Sequence, residues 1–257
     1  MQALRAAALT AATASALTGL LAGCGLPLTS PGAAASHGAT RIERTSSGTS
    51  GPSGTASQRV PRLSPEQARA AKVTLDRLPV KGRAPRTGYD WSAFGPSWTD
   101  DVDVAGGHNG CDTRNDVLRR DLTAVRLKPG TRGCVVLAGA LADLYTGRAI
   151  SFVRGRASSS QVQIDHVVAL GDAWVTGAQQ LTVSERAALA NDPLELLAVD
   201  GRTNSAKRDA DAASWLPPNK AFRCGYVARQ VAVKARYRLW VTPAEKASIA
   251  RVLGTCS

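Results

Sequence analysis

The sequence predicts a single α+β domain, stabilised by disulfide bonds, over residues 63–257. Three observations lead to this prediction. Some segments repeat their apolar residues at helical spacing, whereas others alternate or run continuously as strands do. Four of the five cysteines follow residue 110. Between Ile164 and Asp211 the pattern is strand, turn, strand, turn and helix, and no internal repeat divides the chain.

The first 24 residues have the pattern of an export signal. Arg5 supplies a short positive segment, residues 6–22 are almost all small or apolar, and the stretch ends in Leu-Ala-Gly-Cys24. The short flanks and small residues favour a cleaved signal over a transmembrane helix. Because Leu-Ala-Gly-Cys resembles the bacterial lipobox, residues 1–23 are predicted to be a lipoprotein signal peptide, with lipidation at Cys24. Ordinary cleavage and free secretion is the alternative.

Residues 24–62 are rich in Ser, Gly, Thr, Ala and Pro and contain few large apolar side chains. Such a segment cannot bury enough apolar surface to fold, so it is predicted to be a disordered tether. The protein is therefore expected outside the cytoplasm, at the cell membrane through its lipid or secreted.

The chain carries 32 Lys and Arg against 20 Asp and Glu, a formal net charge of +12. A surface this basic favours polyanionic partners, among them nucleic acid and anionic lipid. Arginine richness can also reflect the base composition of a genome, so charge alone does not select a partner.

If Cys24 is lipidated, four cysteines remain for the folded domain, and an oxidising compartment favours their pairing. Proximity in sequence favours Cys111–Cys134 and Cys224–Cys256, each contributing on the order of 3 kcal/mol. A structural zinc site is the competing interpretation, but no Cys-x-x-Cys spacing supports it.

The predicted elements begin with a helix at Ser64-Pro-Glu-Gln67, which has the form of a capping box, and this helix ends before Pro79. Residues 88–110 are predicted as loop, and Thr113–Leu122 as a short helix. The later elements are strands at Val135–Leu137, Ala149–Val153, Val162–Val168 and Leu194–Val199, and helices at Leu170–Gln180, Ser184–Ala190, from Thr203, and over most of Tyr226–Val252.

The residues that carry chemistry lie in this strand–strand–helix region. Asp165-His166 ends the first strand, and Asn204 and Lys207 lie three apart in the first turn of the last helix, hence on one face. A neutral imidazole can accept a proton from water. Carboxylate and amide oxygens are ligands for a hard divalent cation. A lysine near a helix N-terminus can hold a phosphate.

Three motifs stand here in order: QIDHVVALGDAW at Gln163–Trp174, NDPLELLAVDGRTNSAK at Asn191–Lys207, and WLPP at Trp215–Pro218. They resemble secreted HNH-family proteins of actinobacteria, whose domain is similar to the C-terminal nuclease domain of the GmrSD restriction enzymes. The likeness extends upstream through NGCDTRNDVL and DLYTG and covers about residues 85–256.

This resemblance implies a ββα-metal (HNH or His-Me finger) core at about residues 160–215, surrounded by helices. His166 then matches the general base, Asp165 and Asn204 the metal ligands, and Lys207 the catalytic, phosphate-binding lysine of the helix. The implied cofactor is Mg²⁺, with Mn²⁺ or another divalent cation as alternatives. Glu195 stands where the family has an asparagine that orients the histidine or braces the loop; a carboxylate there can accept a hydrogen bond from the imidazole.

Several residues have alternative interpretations. Asn204 could cap a helix instead of binding metal. Arg114 could bind phosphate, or form an ion pair with Asp116 or Asp143. The tryptophans expected in the core or in a lid are Trp174, Trp215 and Trp240.

The predicted function is an exported, metal-dependent HNH endonuclease that hydrolyses phosphodiester bonds of DNA, or alternatively of RNA, with little sequence specificity. The alternative is a catalytically weak HNH-fold lipoprotein that binds nucleic acid or other polyanions. A solute-binding lipoprotein fits less well, since the chain lacks the length for two lobes. The sequence indicates no obligate protein partner.

Overall fold

Helices and two small antiparallel sheets alternate along residues 63–256, the part of the chain that this computed structural model describes. The α+β class is therefore confirmed. The predicted signal peptide, Cys24 and the tether lie outside the described residues. Within residues 63–256, no helix is long and apolar enough to cross a membrane.

The described α-helices are α1 (Pro65–Arg77), α2 (Thr113–Asp121), α3 (Leu170–Val175), α4 (Val183–Asn191), α5 (Gly201–Lys207), α6 (Arg223–Arg236) and α7 (Pro243–Leu253). The strands are β1 (Leu122–Leu127), β2 (Val136–Ala142), β3 (Ala149–Val153), β4 (Val162–His166) and β5 (Leu196–Asp200).

The larger sheet has the order β1-β2-β3, and both pairs of strands are antiparallel. Its first strand was not predicted: the helical spacing was extended to Leu122, where the chain instead enters β1. This edge strand alternates poorly, since its register with β2 shifts at Arg126 and Ala124 has a positive φ of 49°. An irregular and largely exposed strand leaves little period-two signal in a sequence.

The smaller sheet pairs β4 with β5, so that Asp165 lies opposite Leu197 and His166 opposite Leu196. Both faces of β5 are covered. Leu196 and Ala198 pack in a cluster with α2 and the larger sheet, whereas Leu197 and Val199 pack with α1, α6 and α7. A continuous apolar run is typical of a strand buried on both faces, and the strand predicted at Leu194–Val199 is present as Leu196–Asp200.

Two predicted helical stretches are each interrupted once. The stretch Leu170–Gln180 breaks at Gly177, which has φ 131° and where a Cβ would lie 3.2 Å from the ring of Trp240. The C-terminal stretch breaks between α6 and α7, where the main chain at Val241 bridges to Val80. In both places tertiary packing overrides a local helical preference.

Both predicted disulfides are present. Cys111–Cys134 joins the start of α2 to the chain before β2, and Cys224–Cys256 joins the start of α6 to the chain after α7. The zinc interpretation of these cysteines is therefore wrong, because all four are consumed in disulfides.

A cluster of three buried charges lies between α3, α6 and α7. The ammonium of Lys234 lies 3.0 Å from Asp172 and 2.8 Å from Glu245, and all three residues are buried. One cation between two carboxylates leaves an excess negative charge in a region of low polarity. Burial accordingly raises the pKa of Glu245 to about 7, although the charge of Lys234 opposes the shift.

This raised pKa predicts how stability depends on pH. In the window from the ordinary carboxyl pKa near 4.5 up to about 7, the folded state binds more protons at Glu245 than the unfolded state. Stability contributed by the protonated form is thus lost as pH rises through that window. Glu245→Gln should flatten the decrease in melting temperature between pH 5 and pH 8. Glu66→Gln, at an exposed position, is the control. Equal slopes of melting temperature against pH in the two variants would contradict the raised pKa of Glu245.

Candidate functional site

A cavity of about 380 Å³ lies where β4 ends beside α5. The predicted residues Asp165, His166, Asn204 and Arg114 all line it, together with Arg208, which was not predicted. The fold thus brings together four of the predicted site residues from β4, α5 and α2.

Successive side chains of β4 point to opposite faces of the strand, which places the site residues on two sides. Gln163 and Asp165 face α5: Gln163 accepts a hydrogen bond from Asn204 at 3.0 Å, and Asp165 accepts one from Lys207 at 2.9 Å. His166 projects from the opposite face, as expected from the period of two. Asn204 and Lys207 are three residues apart on α5, which is why one helix face contacts both acceptors.

Two contacts hold the ring of His166. Trp98 stacks on it with ring centroids 5.7 Å apart and an interplanar angle of 11°. Nε2 lies 3.0 Å from the carbonyl oxygen of Ala190. Because a carbonyl only accepts, Nε2 carries the hydrogen, and in the neutral ring Nδ1 is the basic nitrogen. Nδ1 has no hydrogen-bond partner among residues 63–256.

The protonation state of His166 follows from its surroundings. The ring keeps some solvent access, but the protein atoms packed around it lower its pKa to about 4, mainly by desolvation. The carbonyl of Ala190 and the carboxylate of Asp165 act in the opposite direction. The imidazole is therefore neutral at neutral pH.

Asp165 is buried and takes part in a small polar network. Both of its carboxylate oxygens lie 2.9 Å from the ammonium of Lys207, and Oδ2 also accepts a hydrogen bond from the hydroxyl of Tyr145. Oδ1 accepts only the bond from Lys207, so a lone pair remains on this oxygen. Asp165 also lines the cavity.

Lys207 has a different environment from the one predicted. It is 1% exposed, and its ammonium donates to Asp165 and to the backbone carbonyl of His166. An ammonium enclosed in this way neutralises Asp165 and does not reach a phosphate in the cavity. Lys207 therefore lies on Asp165 and not among the residues that line the cavity, where it was predicted to hold a phosphate.

Asn204 lies in α5, but it does not cap that helix. The N-cap is Asp200, whose carboxylate accepts a hydrogen bond from the Thr203 amide at 2.7 Å. The side-chain oxygen of Asn204 accepts no hydrogen bond from the described residues, while its amide nitrogen is held by Gln163. An oxygen ligand at the cavity is thus available, and the capping alternative is excluded.

Glu195 does not contact the imidazole, contrary to the predicted hydrogen bond. Its fully buried carboxylate accepts the amide of Val168 at 3.2 and 3.1 Å, and its own carbonyl accepts the amide of Val167 at 2.9 Å. Burial raises the pKa of Glu195 well above its ordinary value. Of the two roles of the family asparagine, Glu195 has the geometry for bracing the loop after His166.

Arg114 forms neither of the ion pairs considered as alternatives. Its guanidinium donates to the backbone carbonyl of Val162 at 3.0 Å and more weakly to that of Ser159 at 3.4 Å. Asp116 instead accepts from a loop asparagine, and Asp143 accepts backbone amides of its own turn. Arg114 therefore lines the cavity without an ion pair to any of the described residues.

Sequence reasoning missed the contacts that orient the site. The ring stacking of Trp98, the carbonyl of Ala190 and the hydroxyl of Tyr145 were not predicted. Tyr145 lies within the DLYTG motif, which signalled a turn but not a bond to Asp165. Trp174 and Trp240, in contrast, are buried in the core as expected. Among residues 63–256, no group of three or more His, Cys, Asp or Glu side chains could hold a metal ion.

Comparison with known proteins identifies the class. Residues 112–252, more than half of the chain, match the family model of the GmrSD restriction endonucleases, C-terminal domain. The matched region contains β4, β5, α5 and every residue predicted to be catalytic, metal-binding or phosphate-binding. A nuclease-type domain is therefore the class that the match defines.

The chain belongs to the family of GmrSD restriction endonuclease C-terminal domains. It is also similar to a protein of Arthroderma benhamiae described as an uncharacterized secreted protein, at 36% identity over 191 residues. That alignment covers 74% of this chain and 86% of the relative. No solved structure matches the chain.

The buried ion pair of Lys207 with Asp165 predicts that replacing Lys207 strongly lowers stability. Lys207→Met leaves the buried carboxylate of Asp165 without its cation and should lower the free energy of unfolding by about 3–5 kcal/mol. Urea denaturation followed by circular dichroism measures this, with the exposed Lys220→Met as control. Adding Asp165→Asn to Lys207→Met should restore part of the loss. A loss no larger than that of Lys220→Met would refute the pairing.

Proposed function

We propose that this protein is an exported, divalent-metal-dependent endonuclease of the HNH type. Its substrate would be the phosphodiester bonds of DNA, with RNA as the alternative, cut with little sequence preference. The observation that carries the proposal is the state of His166: a neutral ring, held through Nε2, whose basic Nδ1 has no partner among residues 63–256, at a cavity that Arg114 and Arg208 also line.

His166 would act as general base. A water that enters the cavity can transfer a proton to Nδ1 while its oxygen attacks phosphorus; the bond from phosphorus to the 3′ oxygen breaks, and that oxygen takes a proton from solvent water. The ring does not need to reorient during this step, because Trp98 and the carbonyl of Ala190 hold it on two sides. The negative phosphate of a bound substrate would raise the pKa of the ring from its low value and strengthen it as a base.

Asp165 and Asn204 would hold the cation. Oδ1 of Asp165 and the amide oxygen of Asn204 are hard donors that line one cavity, which supports the fit. Magnesium commonly binds through one or two protein oxygens and keeps several waters, so two ligands suffice. When bound, a divalent cation stabilises the charge that develops on the phosphate and on the leaving 3′ oxygen.

The remaining residues would have binding and positioning roles. Arg114 would contact a phosphate oxygen, as its position at the cavity without a carboxylate partner supports. Lys207 would orient Asp165 and moderate its charge. Glu195 would brace the loop that carries Val168. The net charge of the chain would attract the nucleic-acid backbone without recognition of bases.

An extracytoplasmic location is part of the proposal. Two disulfides and a secreted relative support it. The lipid anchor at Cys24 would place the protein at the membrane, with the tether between the lipid and the domain; free secretion is the alternative.

A plasmid-nicking assay tests the activity. With Mg²⁺ or Mn²⁺ the protein should convert supercoiled plasmid to nicked and linear forms, and a chelator should abolish this. His166→Ala should reduce the rate by about 10²–10⁴-fold, since it removes the general base. His108→Ala is the matched control, because His108 lies in a surface loop away from the cavity and should leave cleavage unchanged.

Cleavage that survives His166→Ala would overturn the assignment of the base. Absence of cleavage with every divalent cation, together with DNA binding that weakens as salt increases, would instead support a catalytically weak binding protein. The burial of Lys207 against Asp165 is the observation that favours this second function, since it reduces the charge available to a cation.

A further inference from the structure

The dimensions of the cavity limit what can enter it. About 380 Å³ is close to the lower end of the range of small-molecule sites. The cavity has room for about one nucleotide, and the rest of a substrate would lie outside its open mouth. The reacting phosphate must nevertheless approach His166 and Asn204 inside the cavity, so the local shape of the substrate matters.

One wall of the cavity is aromatic. Trp98 uses one ring face to stack on His166, but Trp91 is 64% exposed and also lines the cavity. Trp91 is not on a loose segment: the turn Trp91–Phe94 is capped by the carboxylate of Asp90 and anchored by Phe94, which is 2% exposed. A rigid turn thus holds a large apolar ring in solvent beside the reacting groups, where a nucleobase could stack on it.

Arg208, whose backbone conformation is unusual, lines the same cavity. Arg208 follows α5 with φ 54° and ψ −135°, a combination that strongly favours glycine. Its side chain is exposed and forms no ion pair with any residue of 63–256. A glycine would remove the strain, so an arginine here costs stability and gives the cavity a second guanidinium besides that of Arg114.

We infer that the cavity accepts an unpaired nucleotide, with its base stacked on Trp91 and its phosphate held by Arg208. The substrate class is then single-stranded or locally melted nucleic acid in preference to intact duplex, because a paired base cannot reach an aromatic ring outside the helix. This inference rests on the proposed nuclease function and specifies its substrate. Trp91 and Arg208 are recognition residues, distinct from the base and the metal ligands.

The first test is a binding experiment that does not depend on catalysis. Fluorescence anisotropy with the His166→Ala chain measures affinity for a labelled oligothymidine and for a duplex of equal length. The single strand should bind more tightly. Adding Trp91→Ala should weaken single-strand binding about tenfold, which is ~1.4 kcal/mol, and leave duplex binding nearly unchanged.

Trp91→Phe should retain most of the single-strand affinity, because the ring is kept. The control is Val183→Ala, which removes an equally exposed apolar side chain outside the cavity. Equal affinity for both oligonucleotides, unaffected by Trp91→Ala, would overturn the inference but leave the proposed function standing. If neither oligonucleotide binds, the proposed function itself fails.

The second test uses the strain at Arg208. Arg208→Gly should raise the melting temperature by about 3 °C, because glycine adopts this conformation without steric cost. The same change should weaken single-strand binding and reduce the slope of log K against log salt concentration by about 0.7. Arg208→Lys keeps the charge and should keep the slope. If Arg208→Gly leaves the slope of log K against log salt concentration unchanged, Arg208 does not contact the phosphate.

Discussion

The buried ion pair between Asp165 and Lys207 is the interaction on which the arrangement of the site depends. It joins the end of β4 to α5, and the hydroxyl of Tyr145 extends it to the turn before β3. Two charges removed from water are tolerated only when they satisfy each other and their hydrogen bonds. Lys207 fulfils this by donating also to the carbonyl of His166, which fixes the strand end that carries the imidazole.

The Asp165–Lys207 ion pair also determines which face of β4 the neighbouring side chains occupy. Asp165 is turned towards α5 and its cation, so the next residue must project to the other face, where Trp98 and Ala190 receive the imidazole. Glu195 secures the following loop through the amide of Val168. The proposed base is thus held by neighbours that do not themselves need to react.

How much of this was predictable depends on the kind of interaction. The strand–strand–helix frame and both disulfides follow from local patterns: apolar runs, turn residues and short separations between cysteines. The role of Lys207 does not, because spacing places a side chain on a helix face but cannot say whether that face is buried, and lysine is seldom buried. The stacking of Trp98 and the carbonyl of Ala190 depend on long-range packing, for which the sequence contains no local signal.

The central claim is that His166 is neutral, with its hydrogen on Nε2 and a free Nδ1. Nitrogen-15 NMR of the imidazole at pH 7 tests it directly, and His166→Ala identifies the signal among the three histidines of the chain. We expect one protonated nitrogen, Nε2, and an unprotonated Nδ1 down to about pH 5, since the pKa of His166 is about 4. A ring protonated on Nδ1, or on both nitrogens at pH 7, would contradict it.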